Sequence, residues 1–150
     1  MELIIKEAEQ LPAQIETLLK LANKEGVNVV QRLIDEYASG QNQFKDEGEF
    51  LLIAYDGDKL IGCGGLNQQW GDAGVEDRIG RVRRFYVHPK YRQYGVGKAL
   101  LQHLEKQAKP FYSALCLNTE QKGAAGFYQK HNYVFVESHP NYNYFKYLIA

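Results

Sequence analysis

Tyr86-Val87-His88-Pro89-Lys90-Tyr91-Arg92-Gln93-Tyr94-Gly95-Val96-Gly97-Lys98-Ala99-Leu100-Leu101 contains the change of pattern from which the rest of the chain is read. On its N-terminal side, Val82 to Val87 has the composition of a strand, and Pro89 ends it because proline has no N–H to give a ladder. On its C-terminal side, Val96, Leu100 and Leu104 recur at helical steps with Leu101 and Ala108 beside them, until Pro110 stops the helix. Gly95 and Gly97 sit in the connection. With no side chains there, backbone N–H groups can converge on a ligand, and the helix start adds unpaired N–H groups and the positive end of its dipole. Lys90, Arg92 and Lys98 bring positive charge close by. The turn is expected to hold phosphate.

Two common phosphate patterns do not fit. A P-loop needs glycine where Arg92 stands and a hydroxyl residue where Ala99 stands, and without that hydroxyl the usual Mg²⁺ ligand is missing. A dinucleotide fingerprint needs Gly or Ala at Leu100 and an acidic ribose partner about 20 residues on, where the chain has Leu115-Cys116-Leu117-Asn118.

Working outward, Leu3 to Glu7 reads as a short strand. It is followed by a helix striped with Leu11, Ile15, Leu18, Leu19 and Ala22, with Pro12 in its first turn and Gly26 at its end. Val30, Leu33, Ile34 and Tyr37 form a second stripe closed by Gly40, and residues 41–48 read as a loop. Phe50 to Tyr55 and Leu60 to Leu66 flank Asp56-Gly57-Asp58-Lys59, the chemistry of a hairpin turn. Gly62, Gly64 and Gly65 within the second of these strands mark a bulge or the close approach of another backbone or a ligand. After a polar loop with Trp70, Asp72, Glu76 and Asp77 comes the strand of the opening stretch. Beyond Pro110, Tyr112 to Leu117 reads as a buried strand, Asn118 as the cap of a helix reaching His131, and Tyr133 to Glu137 with Tyr144 to Ile149 as a closing pair.

At 150 residues and 45% hydrophobic content, the chain has the size of one domain, with no composition break to divide it. The 18 basic and 18 acidic side chains cancel, so overall charge gives no reason to expect a nucleic acid or an anionic membrane as partner. Arg81, Arg83, Arg84, Lys90 and Arg92 interleave with Phe85, Tyr86 and Tyr91, a basic-aromatic mixture that would also suit RNA, but the neutral balance favours a solvated or cofactor-pairing role. Cys63 and Cys116 lie inside apolar runs and read as buried, inert thiols of a reducing compartment. His88, His103, His131 and His139 have no metal-ligand spacing, so no metal is assigned. With neither a basic-flanked apolar leader nor a run of membrane-spanning length, a cytoplasmic location is expected.

The pattern Arg-x-x-Gly-x-Gly at residues 92–97, preceded by Tyr86-Val87-His88-Pro89, resembles the acetyl-coenzyme A signature of the GNAT (Gcn5-related) N-acetyltransferase superfamily. Ala124-Ala125-Gly126-Phe127-Tyr128-Gln129-Lys130-His131-Asn132-Tyr133 resembles that family's second signature, in which a helix delivers a tyrosine. The resemblance is close from about Phe50 to Glu137. It implies a single α/β domain over residues 1–150, with a mixed, mostly antiparallel sheet flanked by helices and splayed at its fourth and fifth strands. It also implies acetyl-coenzyme A as co-substrate. Carried over by position, the main chain of Phe85, Tyr86 and Val87 would bond the pantetheine arm. Arg92, Gln93, Tyr94, Gly95, Val96, Gly97 and Lys98 would bind the pyrophosphate, Asn118 and Gln121 would complete the cofactor contacts, and Tyr128 would stand by the thioester sulfur.

The chemistry implied is direct attack of a primary amine, on a small molecule or a peptide, on the thioester in a ternary complex. The amine must lose a proton, and the leaving thiolate gains from a positioned donor, for which Tyr128 is the expected general acid. The position where many family members carry a basic glutamate holds Arg81, which cannot act as a base. Glu76 is the candidate in its place, and a charged loop with Asp72, Glu76 and Asp77 could draw a cationic amine. The competing class is a non-catalytic acyl-coenzyme A-binding or regulatory module that keeps the turn and lacks turnover. The tail aromatics Tyr142, Tyr144, Phe145 and Tyr147 either wall the acceptor pocket or complete the sheet, and a homodimer stays open.

Overall fold

The computed structural model describes residues 1–69 and 78–148. Seven strands, β1 (Leu3–Glu7), β2 (Phe50–Asp56), β3 (Lys59–Gln68), β4 (Ile79–Val87), β5 (Ala114–Leu117), β6 (Val134–Phe135) and β7 (Tyr144–Tyr147), form one sheet in the order β1-β2-β3-β4-β5-β7-β6. The pairs are antiparallel except β4 with β5, so the sheet is mixed and mostly antiparallel, as the resemblance implied. The β2–β3 hairpin turns at Gly57, whose φ of 61° is the left-handed value such a turn requires.

Helices cover both faces. α1 (Ile15–Lys24) and α2 (Val29–Ser39) place Ile15, Leu18, Ala22, Val30 and Leu33 against Leu51, Ile53, Leu60, Cys63 and Tyr86. On the other face, α3 (Val96–Ala108) buries Val96, Leu100, Leu101, Leu104 and Ala108 against Leu52, Ile61, Leu66, Val82, Val87 and Leu115. Leu100 and Leu104 are fully buried, each worth about 1.5–3 kcal/mol relative to exposure.

Several boundaries differ from the sequence reading: α1 begins at Ile15, so Leu11 and Pro12 precede it instead of forming its first turn, β4 begins at Ile79 ahead of Val82, and β5 begins at Ala114 after Tyr112. Pro89–Tyr94 forms a 3₁₀ turn rather than an irregular link, capped by the His88 ring nitrogen Nδ1, which accepts from Lys90 N–H at 3.1 Å. The last helix, α4, spans Lys122–Lys130 with Gln121 at its cap position. Asn118 therefore does not cap it, because residues 118–121 are needed to carry the chain out from the end of β5. The closing strands are shorter than expected. β7 completes the sheet between β5 and β6, while Tyr142 and Phe145 pack with Ile79, Ala114 and Cys116.

The irregularity that positions the site lies between β3 and β4. Gly62 pairs with Val87 and Cys63 with Tyr86, but Gly65 pairs with Arg83, so β4 carries Arg84 and Phe85 opposite the lone Gly64. Arg84 adopts a φ of 57°, rare for a residue with a side chain. The extra residue inverts the alternation of faces. Val82 and Tyr86, four apart, would share a face in a regular strand, yet Val82 packs with α3 and Tyr86 with α1 and α2. A Cβ on Gly64 would come within 2.8 Å of the Phe85 ring, so glycine is what lets the bulge close, fulfilling the expectation of a bulge or close approach there. The Cys63 thiol donates to Arg84 O at 3.2 Å, and burial pushes its pKa up to about 12, which keeps it an inert structural donor.

Candidate active site

β4 and β5 stay paired only from Ile79↔Ala114 to Arg81↔Cys116. β5 ends at Leu117 while β4 runs on to Val87, so the edge of β4 from Val82 onward has no strand beside it. An unpaired edge offers main-chain N–H and C=O groups to anything extended that lies along it. The opening is walled on its far side by α4, which brings Ala124, Phe127 and Tyr128 toward Phe85.

The glycine turn stands at the mouth of this opening. Gly95 takes a φ of 77°, which turns the chain from the 3₁₀ turn into α3. The first closed turn of α3 is Ala99 N–H to Gly95 O at 3.0 Å, which leaves the N–H groups of Val96, Gly97 and Lys98 without an intrahelical acceptor. Gly97 lies against the α4 side of the opening, where an added Cβ would stand 3.3 Å from the Phe127 ring. Side chains hold the turn rigid. Tyr91 O–H donates to Asp56 at 2.9 Å, and Arg92 Nε–H donates to Val87 O at 3.1 Å. The Arg92 guanidinium also grips both Glu25 carboxylate oxygens, at 2.6 and 2.8 Å. That hydrogen bond holds the Glu25 pKa below its ordinary value against the opposing effect of burial, and Tyr86 O–H donates to the same carboxylate.

Two cavities meet in the opening. The first, about 530 Å³, lies between the turn and α4, lined among others by Glu25, Val87, Arg92, Gly97 and Phe127. The second, about 400 Å³, lies over the diverging ends of β4 and β5, with Arg81, Arg83, Arg84 and Leu117 to Glu120 on its wall. Val27, Phe85, Gln121, Ala124 and Tyr128 line both. Tyr128 is thus the titratable side chain at the junction among the described residues. It is buried, its hydroxyl makes no hydrogen bond among the described residues, and burial raises its pKa above the ordinary phenol value, so it is protonated at neutral pH.

Most residues expected at the site come together there. Phe85, Tyr86, Val87, Arg92, Gly97, Gln121 and Tyr128 line the first cavity. Gly95 and the main chain of Val96 and Lys98 form the helix start, whereas the Val96 side chain is core. Gln93 and Tyr94 lie exposed in the 3₁₀ turn. Asn118 lies on the second cavity rather than the first. Arg92 faces the first cavity but commits its guanidinium to Glu25. Arg81, in the position expected of a base, donates to Gln69 Oε1 at 3.1 Å and to Asn141 O at 2.6 Å, tying the end of β3 to the loop before β7. Glu76, together with Trp70, Asp72 and Asp77, falls outside the described residues. The tail aromatics line neither cavity. Glu25, Val27 and Phe127 had not been singled out. Phe127 was signalled by its place beside Tyr128, while Glu25 meets Arg92 across 67 positions and left no local sign.

Comparison with known proteins bears on this geometry. A curated relative, the uncharacterized N-acetyltransferase YjcF of Bacillus subtilis (strain 168), is 30% identical over 92 residues, which are 61% of this chain and 60% of that protein. A crystal structure from Exiguobacterium sp. 255-15 with a provisional acetyltransferase assignment superposes with a TM-score of 0.84 at 28% identity, covering 98% of this chain and 94% of that one. The crystal structure of an aminoglycoside 6'-N-acetyltransferase complexed with coenzyme A shares the fold, with a TM-score of 0.71 at 19% identity and 98% of each chain covered. Residues 15–133 match the Acetyltransferase (GNAT) family. That span takes in the diverging strands, the glycine turn and the helix bearing Tyr128, and on that ground the chain belongs to the GNAT acetyltransferase family.

Proposed function

We propose that this chain transfers an acetyl group from acetyl-coenzyme A to a primary amine on a small molecule or peptide, by direct attack with donor and acceptor bound together. The observation that carries the proposal is the meeting of two cavities at Tyr128, one bordered by the anion-binding start of α3 and the unpaired edge of β4. The coenzyme A held by the distant aminoglycoside 6'-N-acetyltransferase supports the choice of donor. The thioester supplies a carbonyl activated toward amines and a thiol as leaving group.

The chain's own residues suit these tasks. The N–H groups of Val96, Gly97 and Lys98 receive the diphosphate oxygens, with the α3 dipole adding to the attraction. The free edge of β4 at Phe85 to Val87 pairs with an extended amide arm as a strand would, and its N–H groups polarise the reacting carbonyl. Tyr128, protonated and lacking any other partner among the described residues, donates to the departing sulfur. A free thiol titrates near ~8.5, well below the buried phenol, so this donation begins as a hydrogen bond rather than a completed transfer. Glu76 remains the candidate base. Glu120, exposed on the second cavity, is the carboxylate that the described wall itself offers.

A non-catalytic acyl-coenzyme A-binding module is the second reading, favoured by Arg81 standing where a base is expected and serving as a tie between loops. Thiol release from acetyl-coenzyme A across amino acids, polyamines, aminoglycosides and peptides separates the two. Acceptor-dependent release is expected; coenzyme A binding with no release from any acceptor would replace the enzyme with the module.

A further inference from the structure

We propose that the acceptor amine carries an anionic group, a carboxylate or a phosphate, which docks on Arg83 in the second cavity. This deepens the acetyl-transfer reading and rests on it. Four arginines line that cavity, Arg32 from α2 and Arg81, Arg83 and Arg84 from β4. Their surroundings differ. Arg84 is neutralised by Glu36, with contacts of 2.7, 3.0 and 3.1 Å. Arg81 is held by neutral oxygens of Gln69 and Asn141, which fix its position without pairing its charge to a carboxylate among the described residues. Arg83 is half-buried between these two, and its side chain makes no hydrogen bond or ion pair among the described residues. The exposed Arg32 likewise has no side-chain partner among the described residues. The carboxylate lining this cavity among the described residues is Glu120, at its exposed rim.

A half-buried guanidinium is costly to maintain when the carboxylate that acts on it, Glu36, is bound to Arg84 and makes no contact with it. Burial and the neighbouring cations Arg81 and Arg84 push its pKa down, yet an arginine stays charged at neutral pH. The bulge makes the arrangement possible. Arg84 turns toward α2 and Glu36, while Arg83, on the other side of the register break, stays over the opening beside Phe85 and Tyr128. The phosphates of the donor belong at the start of α3, on the first cavity, so they leave this charge unanswered. Arg83 is the fork an acceptor's carboxylate or phosphate would complete, fixing its amine near the junction of the two cavities.

The test uses the full-length protein, acetyl-coenzyme A and matched acceptor pairs that differ in the anion alone: an α-amino acid against its amide, and phosphoethanolamine against ethanolamine. In the wild type the anionic member of a turned-over pair is expected to lead in kcat/KM by about 10- to 100-fold, the value of one charge-assisted contact. Arg83→Gln should erase that preference through KM while Arg83→Lys keeps part of it. Preference for the neutral members, or an unchanged preference in Arg83→Gln, overturns the proposal while leaving acetyl transfer standing. Binding is also read without turnover, by titrating ¹⁵N-arginine-labelled protein with succinate at constant ionic strength. A saturable shift of the Nε–H signal that Arg83→Gln removes supports the anion site even if no amine is acetylated. An unmoved signal refutes the site.

Discussion

The two cavities share Tyr128 and Phe85 but are built from different materials. On the turn side the chemistry belongs to the backbone: the first N–H groups of α3, the bare edge of β4 and a glycine that keeps the approach open. On the far side it belongs to side chains, chiefly arginines in unequal states of neutralisation. A backbone site needs only an element boundary and the absence of Cβ atoms, so one local stretch specifies it. A side-chain site depends on which residues from distant elements converge, and the same fold can host many such sets. This difference suits a constant donor and a variable acceptor.

The largest effect should come from placing a side chain on the backbone site. Gly97→Asp would set a Cβ 3.3 Å from Phe127 and an anion at a helix start proposed to receive phosphate. Calorimetric affinity for coenzyme A should fall by on the order of 100-fold or more, with circular dichroism unchanged; full affinity in the folded variant would remove the turn from the donor site. Next, Tyr128→Phe should lower kcat by about 100-fold while coenzyme A binds as before, because in the proposed mechanism the phenol acts on the leaving group and not on the diphosphate. Equal losses in kcat and affinity would make Tyr128 part of the cavity wall and no more.

Smaller effects probe the frames of the two sites. Arg84→Ala and Arg84→Gly both lose the pair with Glu36, but alanine alone keeps the strain of φ 57°. The glycine variant should be more stable to urea by about 1 kcal/mol; equal stability would mean that the bulge relaxes. The smallest effect is expected at Glu25. Its folded pKa is lowered, chiefly by the hydrogen bond from Arg92, so its stabilisation is present above the unfolded value near ~4.3 and fades as pH falls through the folded value. The pair is partly exposed, so Glu25→Gln should cost less than about 1 kcal/mol at neutral pH, with wild type and variant converging in acid. A gap that persists in acid where the carboxyl is protonated in both folded and unfolded states would mean that the contact acts other than through charge.

The fold was legible wherever periodicity is local. The stripes of α2 and α3, that of α1 from Ile15 onward, the Asp56-Gly57 hairpin and the first strand lie where spacing put them, because one buried face per element is written in consecutive residues. Asn118 misled because a cap residue and a loop residue draw on the same side chains, and the exit from β5 took up the residues that a longer helix would have used. The glycines of β3 pointed to an irregularity; that β4 would answer with a left-handed Arg84 depended on pairing that no single strand specifies. Arg83 read as a solvated or cofactor-pairing strand residue, since nothing nearby in sequence tells which arginine finds a carboxylate.

Sequence alone determined the proposed donor half of this protein: where β4 stops, where α3 starts, and that glycines leave N–H groups uncovered between them. These are local properties, set by steric freedom and by the unsatisfied ends of a helix. Tertiary structure decided the proposed acceptor half. The parting of β4 from β5, the locking of Arg92 by Glu25, the neutralisation of Arg84 by Glu36 and the placing of Arg83 on the second cavity each depend on residues brought together from far along the chain. Which charge meets which is a property of the folded arrangement, because Coulomb energy depends on separation in space and on burial, and not on position in sequence.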